Sequence, residues 1–175
     1  AEAARREMEI QKTEAELQNL RNQINPHFLL NTLNSIYALI SFDRDKAQKA
    51  VLSLSALLRQ MLYGGRNNAV ALNDEVEFIR NYVELMRIRL NKNVRIDFNV
   101  SISHGDDVKV APFIFISLVE NAFKHGVSTA NPSFIQINIL YDGEKIVCEI
   151  RNSNYPKAST DKSGHGIGLE QVARR

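Results

Sequence analysis

Three short segments hold residue types whose spacing suits phosphate chemistry. In Gln23-Ile24-Asn25-Pro26-His27-Phe28-Leu29-Leu30-Asn31 a histidine follows a proline. Pro26 has no N–H to offer the carbonyl of Asn22, so a helix must kink or restart there. A helix turns about 100° per residue, which sets His27 roughly 160° from the stripe Leu29, Leu33, Ile36 and Ile40. Gln23, Asn31 and Asn34 share its side. A neutral imidazole on an exposed face keeps a ring nitrogen that can act as a nucleophile. The plainer alternative makes Asn25 an N-cap, Pro26 the first helical residue and His27 an ordinary surface residue.

The second segment is the helix expected to begin at Pro112 and stop at Gly126. It is apolar nearly all round and so should be largely buried. Ser117, Glu120, Asn121 and Lys124 are the exceptions, in one stripe. An amide oxygen suits Mg²⁺ and an ammonium suits phosphate. The alternative is a solvent face carrying a Glu120–Lys124 pair at i,i+4. The third segment is Gly164-His165-Gly166-Ile167-Gly168-Leu169. Alternating glycines let backbone N–H groups approach a phosphate, and a helix start behind them adds its positive end. No strand leads directly into it and no Gly-Lys-Ser/Thr ending follows, so it is neither a dinucleotide fingerprint nor a Walker A loop. A flexible turn is the alternative.

The elements that must position these residues change character along the chain. Residues about 2–42 read as one long helix or two in series, with heptad-like spacing at Ile10, Leu17, Leu20 and Ile24. Residues about 44–63 form another helix, with Ala47, Val51, Leu54, Leu58 and Met61 on one face and Gly64-Gly65 at its end. Asn73 is placed to cap a third helix, whose Asp74 and Glu75 suit its N-terminal dipole and whose Val76, Ile79, Val83, Met86 and Leu90 face inward. Beyond Asn91 the pattern alternates. Val94, Ile96, Phe98 and Val100 mark a half-buried strand, and Ile135, Ile137 and Ile139 a second. Asp142-Gly143 is a hairpin turn, and Ile146, Cys148 and Ile150 lie on the returning strand. Residues 152–164 are polar, a loop by composition, and a last helix opens near Gly166.

Bulk properties exclude several classes. The chain has 175 residues and a net charge of +2 (22 Lys and Arg against 20 Asp and Glu), too small a surplus to argue for nucleic acid. One cysteine, Cys148, excludes an internal disulfide framework. It is expected to be a core residue. With four scattered histidines, a structural zinc site is not expected. No apolar run reaches the roughly 20 residues that span a bilayer. Both ends read as the middle of a helix, so the chain is expected to be a piece of something longer.

The three segments together resemble a family. Leu20 to Asn34 looks like the phosphoacceptor box of the LytS-like bacterial sensor histidine kinases. Leu118-Val119-Glu120-Asn121-Ala122-Phe123-Lys124-His125-Gly126 resembles their N box. Gly164 to Leu169 resembles a glycine box of the GHKL (Bergerat-fold) ATP-binding superfamily, and Leu72-Asn73-Asp74-Glu75 through Tyr82 to Arg87-Ile88-Arg89-Leu90 is similar to the family's linking helix. The likeness covers most of the chain in family order.

The resemblance implies an α+β protein. A helical hairpin (1–66) would dimerise as a four-helix bundle, a linking helix (67–91) would follow, and 92–175 would form an α/β sandwich ATP-binding domain that is C-terminally incomplete. It implies autophosphorylation of His27 by ATP, then phosphoryl transfer to an aspartate of a response regulator receiver domain. Pro26 and Asn31 neighbour the acceptor. Asn121 would hold Mg²⁺, with Lys124, His125, Asn152, Gly164, Gly166 and Gly168 at the nucleotide. Partners would be a second copy and the regulator, with no nucleic acid. The core would be cytoplasmic, tied to the bacterial inner membrane only through segments absent from this chain.

Four departures stand out. Phe28 follows His27 where many histidine kinases carry an acid. Asn152 stands nearest the Asp that takes the adenine amino group elsewhere in the superfamily. Ser117 occupies the place of the water-activating Glu of hydrolytic members, which argues against a plain ATPase. The chain also stops before the fold's usual last strand. The alternative function is a degenerate kinase acting as a dimeric scaffold or docking module.

Overall fold

A computed structural model describes residues 5–12, 25–64 and 67–155. Residues 5–12 are helical. Helix α1 (Pro26–Ile40) and helix α2 (Arg44–Tyr63) form a hairpin through a three-residue turn. Strand β1 (Val70–Ala71) leads into helix α3 (Leu72–Arg89), then β2 (Val94–Ile102) and β3 (Lys109–Val110). Helix α4 (Ile116–Gly126) and the strands β4 (Ser133–Tyr141) and β5 (Ile146–Asn152) complete the order. The chain is α+β, as expected.

The sheet order is β2-β4-β5. β2 runs parallel to β4, with Ile96 opposite Ile135 and Phe98 opposite Ile137. The β4–β5 pair is an antiparallel hairpin. At its turn Gly143 has φ +102, and the Asp142 carboxylate accepts the backbone N–H groups of Glu144 and Lys145 at 2.9 Å. A parallel pair needs a crossover, and α4 lies within it, on the sheet face where Ile135, Ile137 and Ile139 are fully buried. The two-residue ribbon β1–β3 is antiparallel and carries too little periodicity to be legible in the sequence.

Helix α3 is the axis of the molecule. It packs against α1, α2 and β2 and buries Leu72, Glu75, Val76, Phe78, Ile79, Tyr82, Val83, Leu85 and Met86. All five inward positions expected from the pattern are buried or half-buried, but the buried face is wider than that stripe. Arg87 pins the helix to the sheet: its Nη2 donates to the carbonyl of Ile96 at 2.8 Å, and its Nε pairs with Glu84.

Helix α1 starts at Pro26 with Asn25 as its cap, as one of the two readings of that segment expected. Three expectations are corrected, the first in this helix. Its inward face is Phe28, Leu29, Thr32, Ile36 and Leu39, whereas Leu33 and Ile40 are 47% and 53% exposed. Asn73 does not cap α3. That helix starts one residue earlier, at Leu72, and the Asn73 amide donates to Asp106 across the 103–107 loop at 2.7 Å. Helix α4 starts at Ile116, not Pro112, because Phe113 takes φ +59 and breaks the regular turn. Residues 156–175, with the glycine segment and the last helix, lie outside the described residues.

Candidate active site

Local sequence fixes the setting of His27. The Asn25 carboxamide oxygen accepts the backbone N–H groups of His27 and Phe28 at 3.1 and 3.2 Å, satisfying donors that a helix start leaves open. Pro26 needs no acceptor at the first position. The histidine is exposed, and the Asn31 carboxamide lies 3.2 Å from its ring nitrogens, one turn on. The atom in contact is the amide nitrogen Nδ2, a donor, which meets the unprotonated ring nitrogen in either neutral tautomer and so orients the ring.

Phe28 points the other way. Its ring stacks on Tyr82 of α3 (centroids 5.2 Å apart, planes 18° from parallel), and the Arg89 guanidinium lies over it at 5.3 Å. Tyr82 in turn meets Phe123 of α4 edge-on at 5.8 Å. Burial pushes the Tyr82 phenol up, the charge of nearby Glu120 adds to the rise, and Arg89 opposes it. Glu120 reaches the surface, yet desolvation by the surrounding protein raises its carboxyl above the usual range.

Helix α4 is two-faced. Val119, Ala122, Phe123 and Gly126 are buried, while Glu120, Asn121, Lys124 and His125 are exposed. The helix is therefore less buried than its composition suggested, and its polar stripe is a surface face. Its C-terminal end closes on β5. A Cβ at Gly126 would lie 2.6 Å from Cβ of Asn152, so only glycine admits this approach. Asn152 is half-buried, and its Nδ2 donates to the carbonyl of Ser153 at 2.7 Å. Ser153 then ties the strand end to Phe134 of β4, with bonds of 3.0 and 2.8 Å.

The structure thus brings Gly126 against Asn152, and Asn121, Lys124 and His125 lie on the last turns of the same helix. His27 belongs to a different element and connects to them through Phe28, Tyr82 and Phe123. Gly164, Gly166 and Gly168 lie outside the described residues. Among the described residues no three His, Cys, Asp or Glu side chains converge on a ready-made metal cage. An exposed Asn121 oxygen beside a lysine fits an ion held mainly by a ligand's phosphates.

Sequence reasoning missed two supporting residues. Glu75, read there as a dipole partner, is 2% exposed and accepts the backbone N–H of Phe113 at 3.0 Å. It fixes the left-handed turn that aims α4, a conformation few non-glycine residues adopt. Its signal was a charge on the inward face of an amphipathic helix. Tyr82 was noted only as part of a helix, and nothing in one sequence pairs it with Phe28. Cys148 is half-buried in β5, and burial raises its thiol to about 11, which keeps it protonated and unreactive near neutral pH.

A family model described as histidine kinase matches residues 15–94. Over 174 aligned residues, 93% of this chain and 30% of the relative, the chain is 32% identical to "Sensor protein LytS" of Staphylococcus haemolyticus. The protein of that name in Staphylococcus saprophyticus is 34% identical over 160 residues, 91% of this chain and 25% of the relative. "Sensor histidine kinase/phosphatase LytS" of Staphylococcus aureus strain Mu50 is 32% identical over 175 residues, 93% of this chain and 30% of the relative. The chain therefore spans between 25% and 30% of the length of these three relatives.

Proposed function

This chain is LytS-like and belongs among the histidine kinases, and from that premise we propose that it is the catalytic core of a two-component sensor. His27 is the phosphoacceptor. One ring nitrogen attacks the γ-phosphorus of ATP, the bond to the ADP oxygen breaks, and the ring gives up a proton. The phosphoryl group then passes to an aspartate of a response regulator receiver domain. The observation that carries this reading is the capped, exposed His27 with Asn31 against its ring.

Asn121 would hold Mg²⁺ at the nucleotide phosphates, and Lys124 and His125 would neutralise their charge. Asn152, Gly164, Gly166 and Gly168 would complete the nucleotide site. Mg²⁺, when bound, neutralises charge on the transferred group, and the protein's part is chiefly positioning. Residues 1–66 serve dimerisation and phosphotransfer, 67–91 link, and 92–175 bind ATP.

Helix α1 leaves Leu30, Leu33, Tyr37 and Ile40 exposed at spacings of three and four, and α2 leaves Val51, Leu52, Leu62 and Tyr63. Two such hairpins close a four-helix bundle, which supports a homodimer. No helix among the described residues is long and apolar enough to cross a membrane. We place this core on the cytoplasmic side of the bacterial inner membrane, anchored through other segments.

Incubation with Mg-ATP, followed by intact mass before and after mild acid, tests the reading. One phosphoryl adduct is expected, lost in acid and absent from His27→Ala. An adduct that survives that substitution sinks it. A degenerate, docking-only core is the second reading, favoured by the neutral Asn152 at the place of an adenine-binding Asp. It predicts no adduct and no Mg-ATP affinity by titration calorimetry.

A further inference from the structure

In many histidine kinases the residue after the phosphoacceptor is an acid, but Phe28 has no group that can move a proton. Its ring instead packs on two side chains of α3. The Tyr82 ring lies 5.2 Å from its centroid and the Arg89 guanidinium 5.3 Å. Tyr82 and Arg89 are seven residues apart on α3, about two turns or 10 Å along the axis, so the phenyl ring fits between them. A stacked ring pair and a cation over a ring each add a directional attraction to what burial supplies. Tyr82 is 7% exposed and also meets Phe123, two residues after Asn121, at 5.8 Å. One side chain of α3 therefore touches both the turn that carries His27 and the helix that carries Asn121.

We infer that Tyr82 is a positioning residue, a clamp that bridges Phe28 and Phe123 so that the phosphoacceptor turn is held in register with the nucleotide-binding helix. The inference rests on the kinase reading and adds the device that sets the distance between its two halves. Neither His27 nor Asn121 is touched by Tyr82, so the clamp acts through their neighbours. The aromatic faces carry the contact, and the phenol oxygen is dispensable.

The test compares the chain with its Tyr82→Leu, Tyr82→Phe and Phe28→Leu variants, each first checked for native circular dichroism. Two readouts are taken: the rate of His27 phosphorylation against ATP concentration, and hydrogen exchange of the amides of residues 28–33. Misplacing reacting groups by about 1 Å costs roughly a hundredfold in rate. Both leucine variants should lose at least about tenfold in maximal rate while the ATP concentration for half-maximal rate stays put. Their 28–33 amides should exchange faster, and Tyr82→Phe should match the parent in both readouts. Phe28→Leu removes only a half-buried ring, so it decides the matter if Tyr82→Leu does not fold. A leucine variant that phosphorylates at the parent rate overturns the inference. So does one that runs faster, which would make the clamp a brake, or a Tyr82→Phe variant as impaired as Tyr82→Leu. If the parent takes no phosphate, the kinase reading fails, and exchange alone judges the clamp: unchanged protection of residues 28–33 refutes it.

Discussion

Helices α1 and α3 lie side by side and answer to opposite rules. The α1 sequence, Pro26 to Ile40, is the more apolar, yet it buries two of its 15 residues, Thr32 and Ile36. The α3 sequence carries seven charged side chains among 18, yet it buries nine residues, one of them the carboxylate Glu75. Hydrophobicity alone therefore does not decide burial. α3 is surrounded by the hairpin and the sheet, so its apolar stripe is satisfied within one chain. Among the described residues α1 packs against α2 and α3, and its other stripe is left exposed. An apolar face of this kind is a mark of association. The helix that carries most of the core and the helix that carries the proposed phosphoacceptor are thus different helices.

Paired substitutions sharpen that contrast most. Leu85→Ala opens a cavity in a fully buried site and should cost about 2–5 kcal/mol of unfolding free energy. Leu33→Ala should cost under about 1 kcal/mol in dilute chain and instead weaken self-association by sedimentation. Equal losses in denaturant titrations would erase the distinction. Gly126→Ala comes next. The new Cβ meets Asn152 at 2.6 Å, and overpacking of that kind costs about 1–3 kcal/mol. Under the kinase reading it should also weaken Mg-ATP binding, because it separates Lys124 and His125 from Asn152. Unchanged nucleotide affinity by calorimetry would detach Asn152 from the site.

Asn25→Ala removes the cap of α1 and should cost about 1 kcal/mol, read by thermal denaturation. The smallest expected effect is that of pH on Glu120. Its folded-state pKa is raised by burial, so the folded chain holds the proton more tightly than the unfolded chain. Stability from this group is present below the ordinary value of 4.5 and is lost as pH rises through the raised one. Glu120→Gln should abolish that decline in urea titrations run between acid and neutral pH. A decline of the same size in the variant assigns it to another group.

The candidate site was partly legible before any fold. The restart at Pro26 follows from a missing N–H and a side chain able to cap, both local facts. The Asp142-Gly143 hairpin and the alternation in β2, β4 and β5 are local too, and all stand where the sequence put them. The polar stripe of α4 was visible, and the sequence left open whether it faced solvent, which it does. Spacing shows that residues share a face, and only the neighbours show whether that face is covered. The apolar stripe Leu29, Leu33, Ile36 and Ile40 is divided by the fold, which buries Ile36 and exposes Leu33 and Ile40.

The sequence by itself determined the longer elements, the cap beneath His27 and the likeness to LytS-like kinases, because propensity, periodicity and motif spacing act over a few residues. Tertiary structure alone decided the parallel pairing of β2 with β4 and the closure of Gly126 on Asn152. It also set the carboxylate of Glu75 under Phe113 and the stack of Phe28, Tyr82 and Phe123. Each of these joins residues separated by 26 to 54 positions, where contact depends on how whole faces fit together and on which polar groups must find partners once buried.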